Sequence, residues 1–318
     1  MNLLTEKKHL KTILHSKRAN IYYLEHCRIL VNEGRVEYLT QDQDKQAYWN
    51  IPIANTTVLL LGTGTSITQA AVRMLASAGV MIGFCGGGGT PLFSASEIEW
   101  LSPQSEYRPT EYVQAWLSFW FDPNARLEAA KTLQKHRLYN LRNIWHTENL
   151  YHDYGIFLDD PKMENILTKL EKDLDKAGST QKLLEIEARA TKSLYSFVAG
   201  SLEYGEFVRD HSGPDKANIF LNHGNYLAYG LAATALWVLG IPHGFAVMHG
   251  KTRRGALVFD VADLIKDALV LPTAFICALR GDREQEFRDT VIELFLRYEA
   301  LDNMINSMKK LCIEFDRS

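Results

Sequence analysis

The chain has 318 residues, which is enough for one large domain or two, and its 46% hydrophobic and 23% charged residues are ordinary for a globular protein. A net charge of −3 excludes a globally basic nucleic-acid binder, although it is compatible with a local basic patch. The N-terminus lacks the apolar core of a signal peptide, no apolar run reaches the roughly 18 residues of a membrane span, and four scattered cysteines without a C-x-x-C pair predict a reducing cytoplasm and no structural zinc site.

The first third of the chain is predicted to be rich in β-strands. Residues 19–40 are typical of two or three short strands with a turn at 32–34, and residues 58–61 of a buried strand. A helix is predicted over 66–79, with Ser66 or Thr68 as its cap, followed by a strand over 80–84 and a glycine-rich tip at 86–89. The turn at 62–66 lacks the lysine of a P-loop and the third glycine of a dinucleotide-binding turn, so it is better explained as a tight strand-to-helix connection.

The pattern becomes helical after a polar stretch that contains Pro103 and Pro109. Helices are predicted at 111–148, 162–177, 179–203, 219–239, from 260 towards 271, and at 282–312. The sequence therefore predicts an α+β fold, in which a small β-rich N-terminal domain at 1–104 precedes a larger all-α C-terminal domain at 105–318.

The spacing H-x10-D-x2-D near the C-terminal end brings together His249, Asp260 and Asp263. The aspartates lie three residues apart at the opening of a predicted helix, so both carboxylates face one side of it. Two hard oxygen ligands and one imidazole suit Mg²⁺ or Mn²⁺. The same residues are also explained without a metal, because acidic residues stabilise a helix N-terminus and a histidine among apolar residues is commonly structural.

Glu187 is the best sequence candidate for a further metal ligand. It borders the apolar stripe of a predicted amphipathic helix, where an unpartnered carboxylate would be costly, although a solvated glutamate explains it as well. Basic residues follow His249 directly, at Lys251, Arg253 and Arg254, and could hold a phosphodiester beside a metal. A second basic patch covers 131–142; a solvated helix face is the ordinary explanation of such runs.

These residues together resemble the CRISPR-associated adaptation endonuclease, the integrase subunit of the spacer-acquisition machinery. The resemblance is carried by Glu187, by Asn225 in the run N-Y-L-A-Y-G, and by His249, Asp260 and Asp263 in M-H-G-K and F-D-V-A-D-L-I-K. It covers nearly the whole chain, and the style of the sequence is most similar to the type I-F branch. One departure is Ala188, where many members of the family have glycine.

The resemblance implies a metal-dependent DNA endonuclease and integrase that inserts new spacers into a CRISPR array by strand transfer. It implies Mg²⁺ or Mn²⁺ held by Glu187, His249 and Asp263, with Asp260 close by as a further catalytic residue. It implies a homodimer formed through the β-rich domain, DNA partners (protospacer and repeat), and a small ferredoxin-like partner that type I-F fuses to a helicase-nuclease. Lys251, Arg253, Arg254 and Asn225 are the expected DNA contacts, and no membrane partner is expected.

Two other classes of function fit the residues alone. One is a metal-dependent phosphohydrolase that acts on small phosphoesters, which would use the same ligands in a single buried pocket. The other is a non-catalytic nucleic-acid-binding scaffold, in which the acidic residues serve only as helix caps. Metal titration separates the scaffold from both enzymes.

Overall fold

Two small sheets build the N-terminal part of the protein. A computed structural model gives the fold for Arg18 and for residues 20–42, 45–85, 98–103, 109–250 and 255–317. The strands of this region are β1 (Asn20–Leu24), β2 (Cys27–Asn32), β3 (Arg35–Asp42), β4 (Lys45–Asn50), β5 (Thr56–Leu61), β6 (Ser66–Ile67), β7 (Met81–Phe84) and β8 (Glu99–Leu101). One sheet has the order β1-β5-β7-β8 and the other β4-β3-β2-β6. In the first sheet, β1, β5 and β7 are parallel, and β8 is antiparallel to β7.

Strand β5 joins the two halves of the molecule, because both of its faces are buried. Successive side chains of a strand point to opposite faces. Val58 and Leu60 pack in the cluster that contains the core of the helical region, whereas Leu59 and Leu61 pack with the second sheet. A fully apolar strand in a parallel sheet is expected where both faces are covered. The hydrophobic core of the helical region therefore continues into the β-rich region.

The rest of the described chain is mostly helical. The helices, including one between β6 and β7, are α1 (Gln69–Ser77), α2 (Glu111–Trp120), α3 (Pro123–Thr147), α4 (Asn149–Asp153), α5 (Pro161–Lys176), α6 (Thr180–Ser201), α7 (Lys216–Leu239), α8 (Ala256–Ile265), α9 (Leu271–Arg280), α10 (Glu284–Arg297) and α11 (Ala300–Phe315). The predicted fold class is confirmed: a β-rich region is followed by a larger, mostly helical one. The predicted boundary at 104/105 lies outside the described residues and stays a prediction.

Several predicted helix limits were wrong for local reasons. The helix predicted over 66–79 begins only at Gln69, capped by the Thr68 hydroxyl, because residues 66–67 form β6. The single helix predicted at 111–148 is divided at Asp122, whose carboxylate accepts the N–H groups of Asn124 and Ala125. Likewise, the last predicted helix is divided into α10 and α11 by Glu299, which has a left-handed backbone with φ 45°.

The prediction that Asp260 opens a helix was also wrong. Helix α8 begins at Ala256, so both aspartates lie inside it and cannot act as charges at its N-terminus. This removes the helix-dipole explanation of the pair. Both carboxylates are 2% exposed, so their burial requires other partners.

A π-helical segment, Lys266–Val270, connects α8 to α9. Pro272, in the first turn of α9, has no N–H for the carbonyl of Ala268, and this interrupts the ladder of an α-helix. The freed carbonyl of Ala268 instead accepts the indole N–H of Trp145 at 3.1 Å and the hydroxyl of Tyr151 at 3.1 Å. The segment carries Lys266 and Asp267, so this interruption sets the position of two charged side chains beside the predicted site.

None of the helices in the described ranges is long and apolar enough to cross a membrane. The glycine-rich tip predicted at 86–89 and the basic residues Lys251, Arg253 and Arg254 lie outside the part of the chain that the structure describes.

Candidate active site

Arg137, on α3, lies at the centre of a buried charge cluster. It contacts carboxylates of α6, α8 and the π-helical segment. Its guanidinium donates to Asp267 through Nε at 2.7 Å and through Nη2, and to the Glu187 carboxylate through Nη1 at 3.1 Å. The same Nη1 lies 3.8 Å from Asp263 Oδ2. Arg137 is 5% exposed. Glu187, on α6, and Asp263, on α8, are therefore brought to the same cation from different helices.

The Glu187 side chain is only 18% exposed and does not behave as a solvated surface glutamate. Its Oε1 also accepts the hydroxyl of Thr191, one turn later on α6, at 3.1 Å. Thr191 in turn accepts a hydrogen bond from Arg137 Nη2 at 2.8 Å. These contacts hold the Glu187 carboxylate against Arg137.

Asp263 is the most deeply buried carboxylate among the predicted ligands and is only partly satisfied. The Lys266 ammonium lies 2.5 Å from its Oδ1 and satisfies that oxygen. Its Oδ2 accepts no hydrogen bond from the described residues and lies 3.8 Å from Arg137 Nη1. A buried carboxylate with unused lone pairs is expected where a further cation binds.

His249 is held by Asp260. Its Nδ1 lies 2.6 Å from Asp260 Oδ1, and that carboxylate also accepts the backbone N–H groups of Val247 (2.8 Å), Met248 (3.1 Å) and His249 (3.1 Å). Both oxygens of Asp260 are thus occupied by the segment that carries the histidine. With Nδ1 paired to a carboxylate, Nε2 is the ring nitrogen available to bind a cation.

The charges of the cluster stabilise one another. Burial alone would lower the pKa of His249, but the hydrogen bond with Asp260 and the charge of Asp263 outweigh burial and raise that pKa. Burial alone would raise the pKa of Asp263, but Lys266 and Arg137 outweigh burial and lower that pKa. The cluster therefore keeps Asp263 ionised at neutral pH.

The donor set fits a hard divalent cation. Asp263 offers a buried Oδ2 without a hydrogen bond from the described residues, Glu187 an oxygen that accepts from Arg137 and Thr191, and His249 one imidazole nitrogen. Within the described ranges, no three His, Cys, Asp or Glu side chains converge as metal ligands, and Arg137 Nη1 lies between Glu187 and Asp263, at 3.1 Å and 3.8 Å.

Sequence reasoning missed three members of this cluster: Arg137, Lys266 and Asp267. Arg137 was placed in a basic patch with Lys131, Lys135 and Arg142, but the other three are less buried and each is paired with an acidic residue. Lys266 and Asp267 follow Asp263 at the spacing of one helical turn, which was the available signal. Asn225 lies half-buried on α7.

Comparison with known proteins places the chain in one family. The family model described as CRISPR associated protein Cas1 matches residues 22–310. The CRISPR-associated endonuclease Cas1 of Pseudomonas aeruginosa is 60% identical over 94% of both chains, and that of Pectobacterium atrosepticum is 58% identical over 94% of both chains.

Solved structures share the fold at lower sequence identity. The TM-score is 0.72 with the Cas1 protein TM1797 from Thermotoga maritima, at 15% identity over 92% of this chain and 96% of that one. It is 0.63 with TtCas1 in a DNA complex, at 21% identity over 92% and 91%. It is 0.64 with a casposase bound to an integration product, at 14% identity over 92% and 82%.

Proposed function

Because the chain belongs to the Cas1 family of CRISPR-associated endonucleases, we propose that it is a divalent-metal-dependent DNA endonuclease and integrase that inserts spacers by phosphodiester strand transfer. The observation that carries the proposal is the meeting of Glu187 and Asp263 at Arg137, with the buried Oδ2 of Asp263 left without a hydrogen bond from the described residues. Two of the similar structures support DNA as the substrate, since one is a DNA complex and another holds an integration product.

Glu187, His249 and Asp263 are the proposed ligands of Mg²⁺ or Mn²⁺. Asp260 acts through His249: it holds Nδ1 and so presents Nε2, but its own oxygens are already occupied. A bound divalent cation supplies Lewis-acid polarisation of a phosphoryl oxygen and stabilises the charge that develops there. Lys266 and Arg137 lower the pKa of Asp263 and keep its carboxylate ionised, as a hard-cation site requires.

The proposed reaction exchanges bonds and needs no nucleoside triphosphate. A 3′-hydroxyl attacks a phosphodiester of the repeat in line, and another 3′-hydroxyl leaves. Lys251, Arg253, Arg254 and Asn225 are the proposed contacts to DNA phosphates beside the site. We further propose a homodimer formed through the β-rich region and a small ferredoxin-like partner, fused to a helicase-nuclease as in type I-F, on the basis of the family resemblance.

The test is incubation of the protein with an end-labelled branched DNA, with Mn²⁺ and with a chelator. The proposal expects strand cleavage and a transferred-strand product in Mn²⁺ alone. Binding of DNA without any product in Mn²⁺ would support the non-catalytic scaffold. Hydrolysis of a small phosphoester such as p-nitrophenyl phosphate, with DNA left intact, would support the phosphohydrolase.

A further inference from the structure

Two tryptophans of α2 contact the segment that carries His249. Trp116 and Trp120 lie four residues apart, so their side chains share one face of the helix. The indole N–H of Trp116 donates to the carbonyl of Phe245 at 3.0 Å, and that of Trp120 donates to the carbonyl of Ala246 at 2.8 Å. These are contacts between residues more than 120 positions apart.

The next three residues are held from the other side. The backbone N–H groups of Val247, Met248 and His249 all donate to the Asp260 carboxylate. Residues 245–249 have no regular secondary structure, so no ladder of their own satisfies these backbone groups. Two consecutive carbonyls bound by α2 and three consecutive amides bound by α8 therefore fix the path of the chain into His249.

Packing restricts the same segment further. The Trp120 ring meets the Phe245 ring edge to face, with ring centroids 5.0 Å apart and planes at 87°. On the far side, Gln134 Nε2 lies 3.5 Å from Met248 Sδ, while its Oε1 accepts Arg137 Nη1 at 3.2 Å. Trp116 is fully buried and Trp120 is half-buried. A buried tryptophan usually has a partner for its N–H, and here both partners belong to the histidine segment.

We propose that Trp116 and Trp120 are positioning residues for His249, whose indole N–H groups set where the imidazole can bind a metal. The inference rests on the proposed function for its metal, but not for the contacts themselves. Partners that orient a metal-binding histidine contribute to affinity although they do not touch the ion. Neither tryptophan contacts Glu187 or Asp263 in the described structure, so their effect on the site passes through residues 245–249.

The first test is Mn²⁺ titration of Trp120→Phe, which removes the indole N–H and keeps an aromatic ring. We expect the dissociation constant for Mn²⁺ to rise about tenfold, with the number of sites per chain unchanged. Partial unfolding would instead lower the number of sites and leave the dissociation constant as in the wild type. Trp49→Phe, in β4, is the control and should bind Mn²⁺ as the wild type does.

The second test uses metal-free protein and therefore does not depend on the proposed function. Amide hydrogen exchange at Val247, Met248 and His249 should be faster in Trp120→Phe, and in the double variant with Trp116→Phe, than in the wild type or in Trp49→Phe. Unchanged exchange at these amides overturns the proposal, and so does faster exchange with an unchanged Mn²⁺ affinity. If the wild type binds no Mn²⁺ but amide exchange is faster in the variants, the proposed metal site is wrong. The contacts of the two tryptophans then still restrain residues 245–249.

Discussion

At the scale of single residues, we expect His249 to make metal binding depend on pH. Its imidazole must be neutral to bind a cation, and the hydrogen bond with Asp260 raises its pKa in the metal-free protein. Protons therefore compete with the metal from a higher pH than they would at an ordinary histidine. We expect the affinity for Mn²⁺ to be constant above this raised pKa and to fall roughly tenfold per pH unit below it. Isothermal titration at several pH values measures this, and a flat profile through the histidine range would remove His249 from the ligand set.

Arg137 is the cation that Glu187, Asp263 and Asp267 share. Replacing it with Met leaves these carboxylates without that cation, and breaking a buried pair costs about 3–5 kcal/mol. Lys135→Met, two residues earlier on α3, breaks only the exposed pair with Asp175, which solvent screens, and should leave the stability close to that of the wild type. Urea unfolding of the two variants gives both values, and equal losses would contradict the central role of Arg137.

The proposed metal ligands could be picked out from the sequence, but the charged residues around them could not. His249, Asp260 and Asp263 stand out because of spacing and residue type. Arg137 does not, because a basic residue on a helix among other basic residues resembles a solvated face. Only the tertiary contact between α3, α6 and α8 distinguishes it from Lys135, and this contact spans 50 residues to Glu187 and 130 to Asp267.

At the scale of secondary-structure elements, α7 packs closely against the π-helical segment that carries Lys266 and Asp267. A Cβ built on Gly224 of α7 would lie 2.4 Å from Cγ1 of Val270 and 3.1 Å from the Phe287 ring. Gly224→Ala should therefore destabilise the protein by about 1–3 kcal/mol, because the two elements must separate.

Gly200→Ala is the matched control for this prediction. Gly200 lies near the end of α6, and a Cβ there would meet nothing within 4 Å. The substitution should stabilise the protein by about 0.4–1 kcal/mol, since alanine loses less backbone entropy in a helix. Thermal unfolding compares the two variants, and a Gly224→Ala protein as stable as the wild type would show that the elements can part at little cost.

Helix existence was predictable from periodicity, but helix limits were not. Asp122 and Pro123 carry a recognisable start signal inside a stretch that is apolar at helical spacing throughout. The helix predicted from 260 towards 271 is interrupted by a π-helical segment, and Pro272 lies in the first turn of α9. Whether a freed carbonyl such as that of Ala268 finds a partner depends on Trp145 and Tyr151, which are distant in sequence.

Phosphate contacts should dominate DNA binding at the scale of the whole molecule. Because the net charge is −3, local basic residues must make the phosphate contacts. Lys251, Arg253 and Arg254 adjoin His249 in the sequence. The affinity for duplex should fall by about 0.9 log unit per log unit of salt for each phosphate neutralised. Replacing all three residues with Ala should flatten the slope and weaken binding to any sequence alike. An unchanged slope would move the DNA path to the surface of α3 that carries Lys131, Lys135 and Arg142.

The overall division into a β-rich and a helical region was predictable because strand and helix periodicities differ along the chain. The way the two regions join was not. Strand β5 is apolar from Val58 to Leu61, and its pattern alone does not indicate that Val58 and Leu60 pack on the helical side, where Gly230 of α7 allows close approach to Val58.

The most direct test of the metal-dependent strand-transfer claim compares two glutamates of the same helix. Glu187 lies against Arg137, whereas Glu185 is exposed and paired with Lys182. With branched DNA and saturating Mn²⁺, Glu187→Gln should lose at least about 100-fold in the rate of strand transfer, the upper end of the loss seen even for residues that only support a metal ligand. Glu185→Gln should react at the wild-type rate. Strand transfer by Glu187→Gln at the wild-type rate would contradict the assignment of this cluster as the active site.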